Sequence, residues 1–318
     1  MKRRNIGGMF VLMVALLAAP ASVQAQFSYS TNADGITATI TGWEQSGGPV
    51  GSLIIPTNLG GLTVTSIGAE AFAGSVNLTS VTIAASVTSL GPAAFDYCRN
   101  LTNATLPSSL TSIGYEMFAH SSLTSVTIPG SVADIGTNAF AGCAELTSVT
   151  IPGSVNSIGD GAFADCFSLA SATIAGSVTS IGASAFQSCT DLASLFFKGN
   201  APTADASLFS PVLGPVLGAT VYYLSGTTGW SNSFAGRPAV LWNPLIQTGD
   251  GSFGVQNGRF GFNITGTPNI PIVVEASSNV AGPGWTPLQN LTLTNGSYYF
   301  SEPFQPGSSQ RYYRIGSQ

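Results

Sequence analysis

Charge is scarce in this chain. Only 7% of its 318 residues are Asp, Glu, Lys or Arg, against about a quarter in an ordinary globular protein. Scarce charge together with 44% hydrophobic residues excludes intrinsic disorder, which needs the opposite balance. It leaves a large buried interior under a surface of Ser, Thr, Asn and Gly. Histidine occurs once, as His120, and there is no C-x-x-C pair, so no metal site and no cofactor is expected. No G-x-S-x-G elbow stands between a strand and a helix, and no glycine-rich phosphate loop ends in Lys-Ser/Thr. Cations are few. Taking Lys2, Arg3 and Arg4 from the nine leaves six against fourteen acids, a balance of −8. So few scattered cations neutralise few phosphates, and nucleic acid is not an expected partner.

Residues 1–25 read as a secretory signal peptide. Lys2-Arg3-Arg4 is the basic start, Met9 to Ala19 the apolar core, and Val23-Gln24-Ala25 a small-residue cleavage site. The apolar core is short for a membrane span, and no later run is long enough. The expectation is a secreted or cell-surface protein, with no transmembrane segment after cleavage.

A period comes next. Phe72, Phe95, Phe118, Phe140, Phe163 and Phe186 recur at spacings of 23, 23, 22, 23 and 23. An Ile-Gly or Leu-Gly pair precedes each, ending in Gly68, Gly91, Gly114, Gly136, Gly159 and Gly182. One unit runs LTSVTIPGSVNSIGDGAFADCFS from Leu146. Its first six residues alternate as a strand, with Val149 and Ile151 inward and Ser148 and Thr150 outward. Pro152-Gly153 turns the chain. Val155 and Ile158 form a second buried edge. Gly159 is expected at φ above zero, and Asp160 to Cys166 as one to two helical turns that plug Phe163 inward. One such unit cannot bury its faces alone, so units must stack into a coil with a continuous core.

The pattern L-T-S-V-T-I-P-x-S-V-x-S-I-G-x-x-A-F-x-x-C resembles the BspA-type leucine-rich repeat of bacterial and protist surface proteins. It covers about residues 50–200. Departures are small: Ala104 and Ala172 stand for Val, and Ser75 and Ser121 for Cys. The resemblance implies a right-handed leucine-rich-repeat solenoid, α/β but mostly β, with a parallel sheet on its concave side. It also implies extracellular adhesion or recognition.

The expected organisation is a signal peptide over 1–25, an N-terminal β cap over 26–49 and a solenoid of about six to seven rungs over 50–200. A closing unit spans 201–243, and a small antiparallel β-sandwich-like domain spans 244–318. The cap is a hairpin of Phe27 to Tyr29 and Ile36 to Ile40. The last part alternates aromatic runs, such as Phe260 to Phe262 and Tyr298 to Phe300, with Gly, Pro and Asn-Gly turns.

Chemistry-bearing residues offer little for catalysis. Cys98, Cys143, Cys166 and Cys189 each follow a repeat Phe by three residues. They read as buried free thiols, although an even count in an exported chain also allows disulfides. His120 reads as a surface loop residue, and the carboxylates Glu116, Asp134, Glu145, Asp160, Asp165 and Asp191 fall near rung corners and read as solvated turn residues or helix N-terminal charges. No catalytic residue is assigned. The candidate binding face is the outward side of the parallel strands: Ser80, Thr82, Asn103, Thr105, Ser125, Thr127, Ser148, Thr150, Ser171, Thr173, Ser194 and Phe196. Thr also simply suits strands. The expected function is non-catalytic binding or adhesion to a protein or glycan. A passive surface-layer component is the alternative, and an unrecognised hydrolase a remote one.

Overall fold

The computed structural model describes residues 26–210, 218–282, 284–304 and 310–316. The expected signal sequence lies outside them. Along the coil axis runs a single column of phenylalanines. Phe72, Phe95, Phe118, Phe140, Phe163 and Phe186 are all fully buried, with ring centroids 5.3, 5.5, 5.8, 5.4 and 5.5 Å apart and planes within 11° of parallel. Burying each such ring is worth roughly 1.5–3 kcal/mol. Phe209, one repeat period beyond Phe186, adds a seventh ring at 6.3 Å. At the other end Phe27 of the N-terminal hairpin meets Phe72 edge-on at 6.4 Å.

Two parallel ladders flank this column. One pairs Ser148–Ile151, Ser171–Ile174, Ser194–Phe197, Thr220–Leu224 and Arg237–Trp242 in sequence, and a shorter one pairs Gly51–Ile54, Leu78–Thr82 and Asn103–Thr105. On the second edge Ile113, Ile135, Ile158 and Ile181 lie in register. The expected strand at Leu123 to Ile128 is absent, so the sheet divides there. Two local changes in sequence coincide with the break. The corner after Phe118 is one residue shorter than the others, and Met117 takes the place of the usual Ala.

The corners are not helical. In the Phe140 unit, the N–H groups of Asn138, Phe140 and Gly142 donate to carbonyls of the next rung at 2.8, 2.8 and 2.7 Å. Those of Ala139, Ala141 and Cys143 close local turns onto the residue three back. Left-handed φ values at Asn138 and Gly142, 54° and 69°, aim alternate donors along the stack. A helix would keep every donor within its own turn. The same two left-handed positions recur in each unit, and most hold a residue other than glycine, such as Glu70, Tyr97, Glu116 and Ser184. The only helix among the described residues is the 3₁₀ turn Ala206–Phe209.

The expectation for Gly159 is also corrected: its φ is not positive. Glycine is needed there for contact. A Cβ would lie 2.6 Å from the Thr137 amide nitrogen and 2.7 Å from the Gly136 carbonyl carbon. Gly91, Gly136 and Gly182 approach the backbone of the preceding rung in the same way, whereas Gly114 does not.

Phe27–Thr31 and Thr37–Trp43 pair antiparallel as an N-terminal hairpin. After Trp242 the chain leaves the coil. Leu245–Ile246, Gly254–Gln256, Arg259–Thr265 and Ser297–Pro303 make one antiparallel sheet, and Thr286–Thr292, Pro271–Ser277 and Tyr312–Gly316 another. Phe262, Ile264, Ile272, Val274 and Phe300 fill the space between them. No helix among the described residues is long and apolar enough to cross a membrane.

Candidate functional site

The outward face of the parallel strands is built by alternation. Residues that flank each buried Val or Ile point away from the core, and the register aligns them between rungs. Ser80 sits beside Asn103, and Thr82 beside Thr105. Ser148, Ser171 and Ser194 form one column, and Thr150, Thr173 and Phe196 the next. Thr82, Asn103, Thr105, Ser125, Thr127, Ser148 and Thr150 are exposed, while Ser80, Ser171, Thr173 and Ser194 are half-buried. Ser125 and Thr127 share the exposure but lie on the stretch that lacks strand pairing.

On the candidate face the Ser80 hydroxyl donates to the Ser52 hydroxyl at 2.7 Å. Thr102, Thr147 and Thr179 donate to the carbonyl of the preceding rung at 3.2, 3.4 and 3.3 Å, and Ser109, Ser131 and Ser177 do so at 2.5–2.7 Å. These hydroxyls tie rungs together. By contrast, the side chains of Thr82, Thr105, Thr127 and Thr150 have no hydrogen-bond partner among the described residues.

Phe196 departs from the expectation. It points outward from its strand, yet it is 4% exposed. Its ring stacks on Tyr222 at 5.0 Å, and Trp242 meets it edge-on at 6.1 Å. Phe196 and Tyr222 share a core with Phe262, Ile272 and Val274 of the C-terminal sheets. The Trp242 Nε1–H donates to the Pro271 carbonyl at 2.9 Å, which helps fix this contact. The change from Thr to Phe and Tyr along one column marks where the C-terminal unit covers the face. No signal local to Phe196 announces that cover. The clue lies in Tyr222, which continues the same column.

The cysteines form a buried column. Each thiol donates to the carbonyl of the Phe one rung earlier: Cys98 to Phe72, Cys143 to Phe118, Cys166 to Phe140 and Cys189 to Phe163, at 3.1–3.3 Å. Burial pushes the Cys98 and Cys189 thiols up to about 12 and Cys143 up to about 11, and Cys166 goes well above its usual value. Such thiols are poor nucleophiles.

His120 is more than a bare loop residue. Its ring stacks on Tyr97 at 4.1 Å, and its Nδ1 lies 3.1 Å from the Asp96 carboxylate. Two corner carboxylates accept hydrogen bonds from the next rung, Asp134 from the Ser157 hydroxyl at 2.7 Å and Asp160 from the Ala183 amide at 2.8 Å, whereas Asp165, expected to be solvated, carries a buried oxygen with no partner among the described residues. Among the described residues no three His, Cys, Asp or Glu side chains gather as metal ligands.

Residues 65–193 match the BspA type leucine rich repeat region in six copies. A leucine-rich repeat protein of T. pallidum is 27% identical, over 65% of this chain and 86% of its own, with a TM-score of 0.49. One from Bacteroides ovatus is 20% identical over 68% of this chain and 75% of its own, with a TM-score of 0.40. A third, from Bacteroides capillosus, is 30% identical over 42% of this chain and 83% of its own, with a TM-score of 0.30. No curated protein matches significantly. With its stacked phenylalanines, two rung ladders and six matched repeats, the chain belongs to the BspA-type leucine-rich-repeat family.

Proposed function

We propose that this chain is an exported, non-catalytic binding protein of the cell exterior that recognises a protein or glycan surface with the outward face of its solenoid. Repeat faces of this kind are large, regular and suited to extended partners. The observation that carries the reading is the split among hydroxyls: those of Thr82, Thr105, Thr127 and Thr150 are exposed and have no partner among the described residues, while neighbouring threonines bond between rungs. Uncharged hydroxyls in register offer many weak hydrogen bonds to a surface laid across them. Export rests on the composition of residues 1–25. The same reading divides the chain at 25/26, 49/50, 200/201 and 243/244.

The test is a glycan and host-protein array probed with the chain from Gln26 onward. A double variant, Thr127→Arg with Thr150→Arg, is expected to lose the wild-type hits while keeping its circular dichroism and melting temperature. Undiminished binding would overturn the assignment to this face. A second reading, a self-associating structural component, is favoured by Val50, just before the edge strand Gly51–Ile54, and by Ile54 within it, which are 78% and 68% exposed. A sharp monomer across a wide concentration range in analytical ultracentrifugation would remove it.

A further inference from the structure

A cleft of about 330 Å³ opens where the last rungs meet the C-terminal unit. Its size lies at the lower end of the roughly 300–1,000 Å³ usual for small-molecule sites. Half-buried Trp242 lines one side together with the buried Phe196 and Tyr222, and Lys198, Glu275 and Arg314 contribute the charged groups.

Those groups are arranged unequally. Arg314 is held in place: its Nε donates to Glu275 Oε2 at 2.6 Å, and its guanidinium lies 4.4 Å from the Trp285 ring centroid. Lys198 is exposed, and no carboxylate pairs with it among the described residues. It is also the only lysine beyond Lys2. The cleft thus carries two cations and one carboxylate, a local positive balance in a chain of net charge −5.

We propose that this cleft binds a sugar ring bearing a carboxylate. Three demands meet in that ligand class. Its C–H face packs on the half-buried Trp242 ring, the one lining aromatic that is not fully buried. Its carboxylate pairs with the Lys198 ammonium, which has no carboxylate partner among the described residues, with the fixed Arg314 guanidinium beside it. Its hydroxyls find an acceptor in the Glu275 carboxylate. A bare inorganic anion would use the cations and leave Trp242 uncovered, and a neutral sugar would leave Lys198 unpaired. The proposal does not depend on the hydroxyl face.

The test uses ligand-observed saturation-transfer NMR on the chain from Gln26 onward. The probes are D-glucuronate and N-acetylneuraminate, with D-glucose and acetate as controls for ring and charge alone. A saturable signal from at least one acidic sugar is expected, with at least tenfold weaker binding of both controls. Lys198→Gln, at an exposed position, should weaken that sugar at least tenfold with the melting temperature unchanged. The Thr127→Arg, Thr150→Arg chain should bind it as the wild type does. No saturable signal from either acidic sugar, equal binding of glucose, or indifference to Lys198→Gln would overturn the proposal. So would a loss in the threonine variant, which would place the sugar on the hydroxyl face.

Discussion

Gly159→Ala isolates what the glycine column does. The added methyl would meet backbone atoms of the preceding rung at 2.6, 2.7 and 3.1 Å, and backbone cannot swing aside as a side chain can. Gly159 also donates its N–H to the Ile135 carbonyl at 2.8 Å, so moving the rung away strains the second ladder as well. Overpacking of this sort costs about 1–3 kcal/mol. Replacing glycine also restricts the unfolded chain, which returns about 0.4–1 kcal/mol. The net loss should be about 1–2 kcal/mol. For a cooperative unit of this size that corresponds to a fall of roughly 2–8 °C in melting temperature. Gly153→Ala is the matched control, since a Cβ there has nothing within 4 Å and its φ is not positive. That variant should melt at or slightly above the wild-type temperature. Differential scanning calorimetry of the pair decides the matter. Equal melting temperatures for the two variants would refute the argument that rungs touch through their glycines.

Phe140→Ala should lose about 3–5 kcal/mol in urea denaturation, because the ring is fully buried between Phe118 and Phe163 and its space cannot close. Glu70→Gly should raise stability by up to about 1 kcal/mol: Glu70 sits exposed at φ 55°, and relief of that strain exceeds the extra entropy of glycine. Alkaline pH should destabilise the fold. The buried thiols stay protonated in the folded chain while unfolded thiols ionise above about pH 9, so stability present below that point falls by up to about 1.4 kcal/mol per pH unit for each thiol until its folded value is passed. Denaturation midpoints from about pH 8 to 11 should show this slope, and Cys189→Ala should flatten it. In the native protein at pH 8 a thiol reagent should label none of the four cysteines quickly, and all four after unfolding.

The period and the burial of its members can be read from sequence because they are nearest-neighbour properties. The spacing of Phe72 to Phe186 and the alternation of Val149 and Ile151 suffice to place the core and the outward face. What is not legible depends on groups far away in the chain. Asp160 to Cys166 has the apolar spacing of a helical turn, but its alternate amides bond to the following rung, which only the stacked form supplies. Gly159 invites a conformational explanation because its close contact, with Gly136 and Thr137, belongs to the rung before it. Phe209 keeps the period yet lacks the preceding Gly and Ala that mark the other corners, so it passes unnoticed. Phe196 obeys its alternation and is covered by sheets that form only after the coil has ended. The hydroxyl face is visible in sequence as a set of residues, whereas its division into bonded and unbonded threonines requires coordinates.

The Phe column ends differently at its two ends, with a hairpin ring edge-on at one and a 3₁₀ turn at the other, while the rings between them stack in one geometry. Units in that middle touch only the copies before and after them, so duplicating one whole unit there would leave both termini of the stack intact. It would lengthen the outward face by a single strand spacing, about 4.8 Å. Reach is therefore adjustable in fixed steps by recombination between near-identical segments, without redesign of either end.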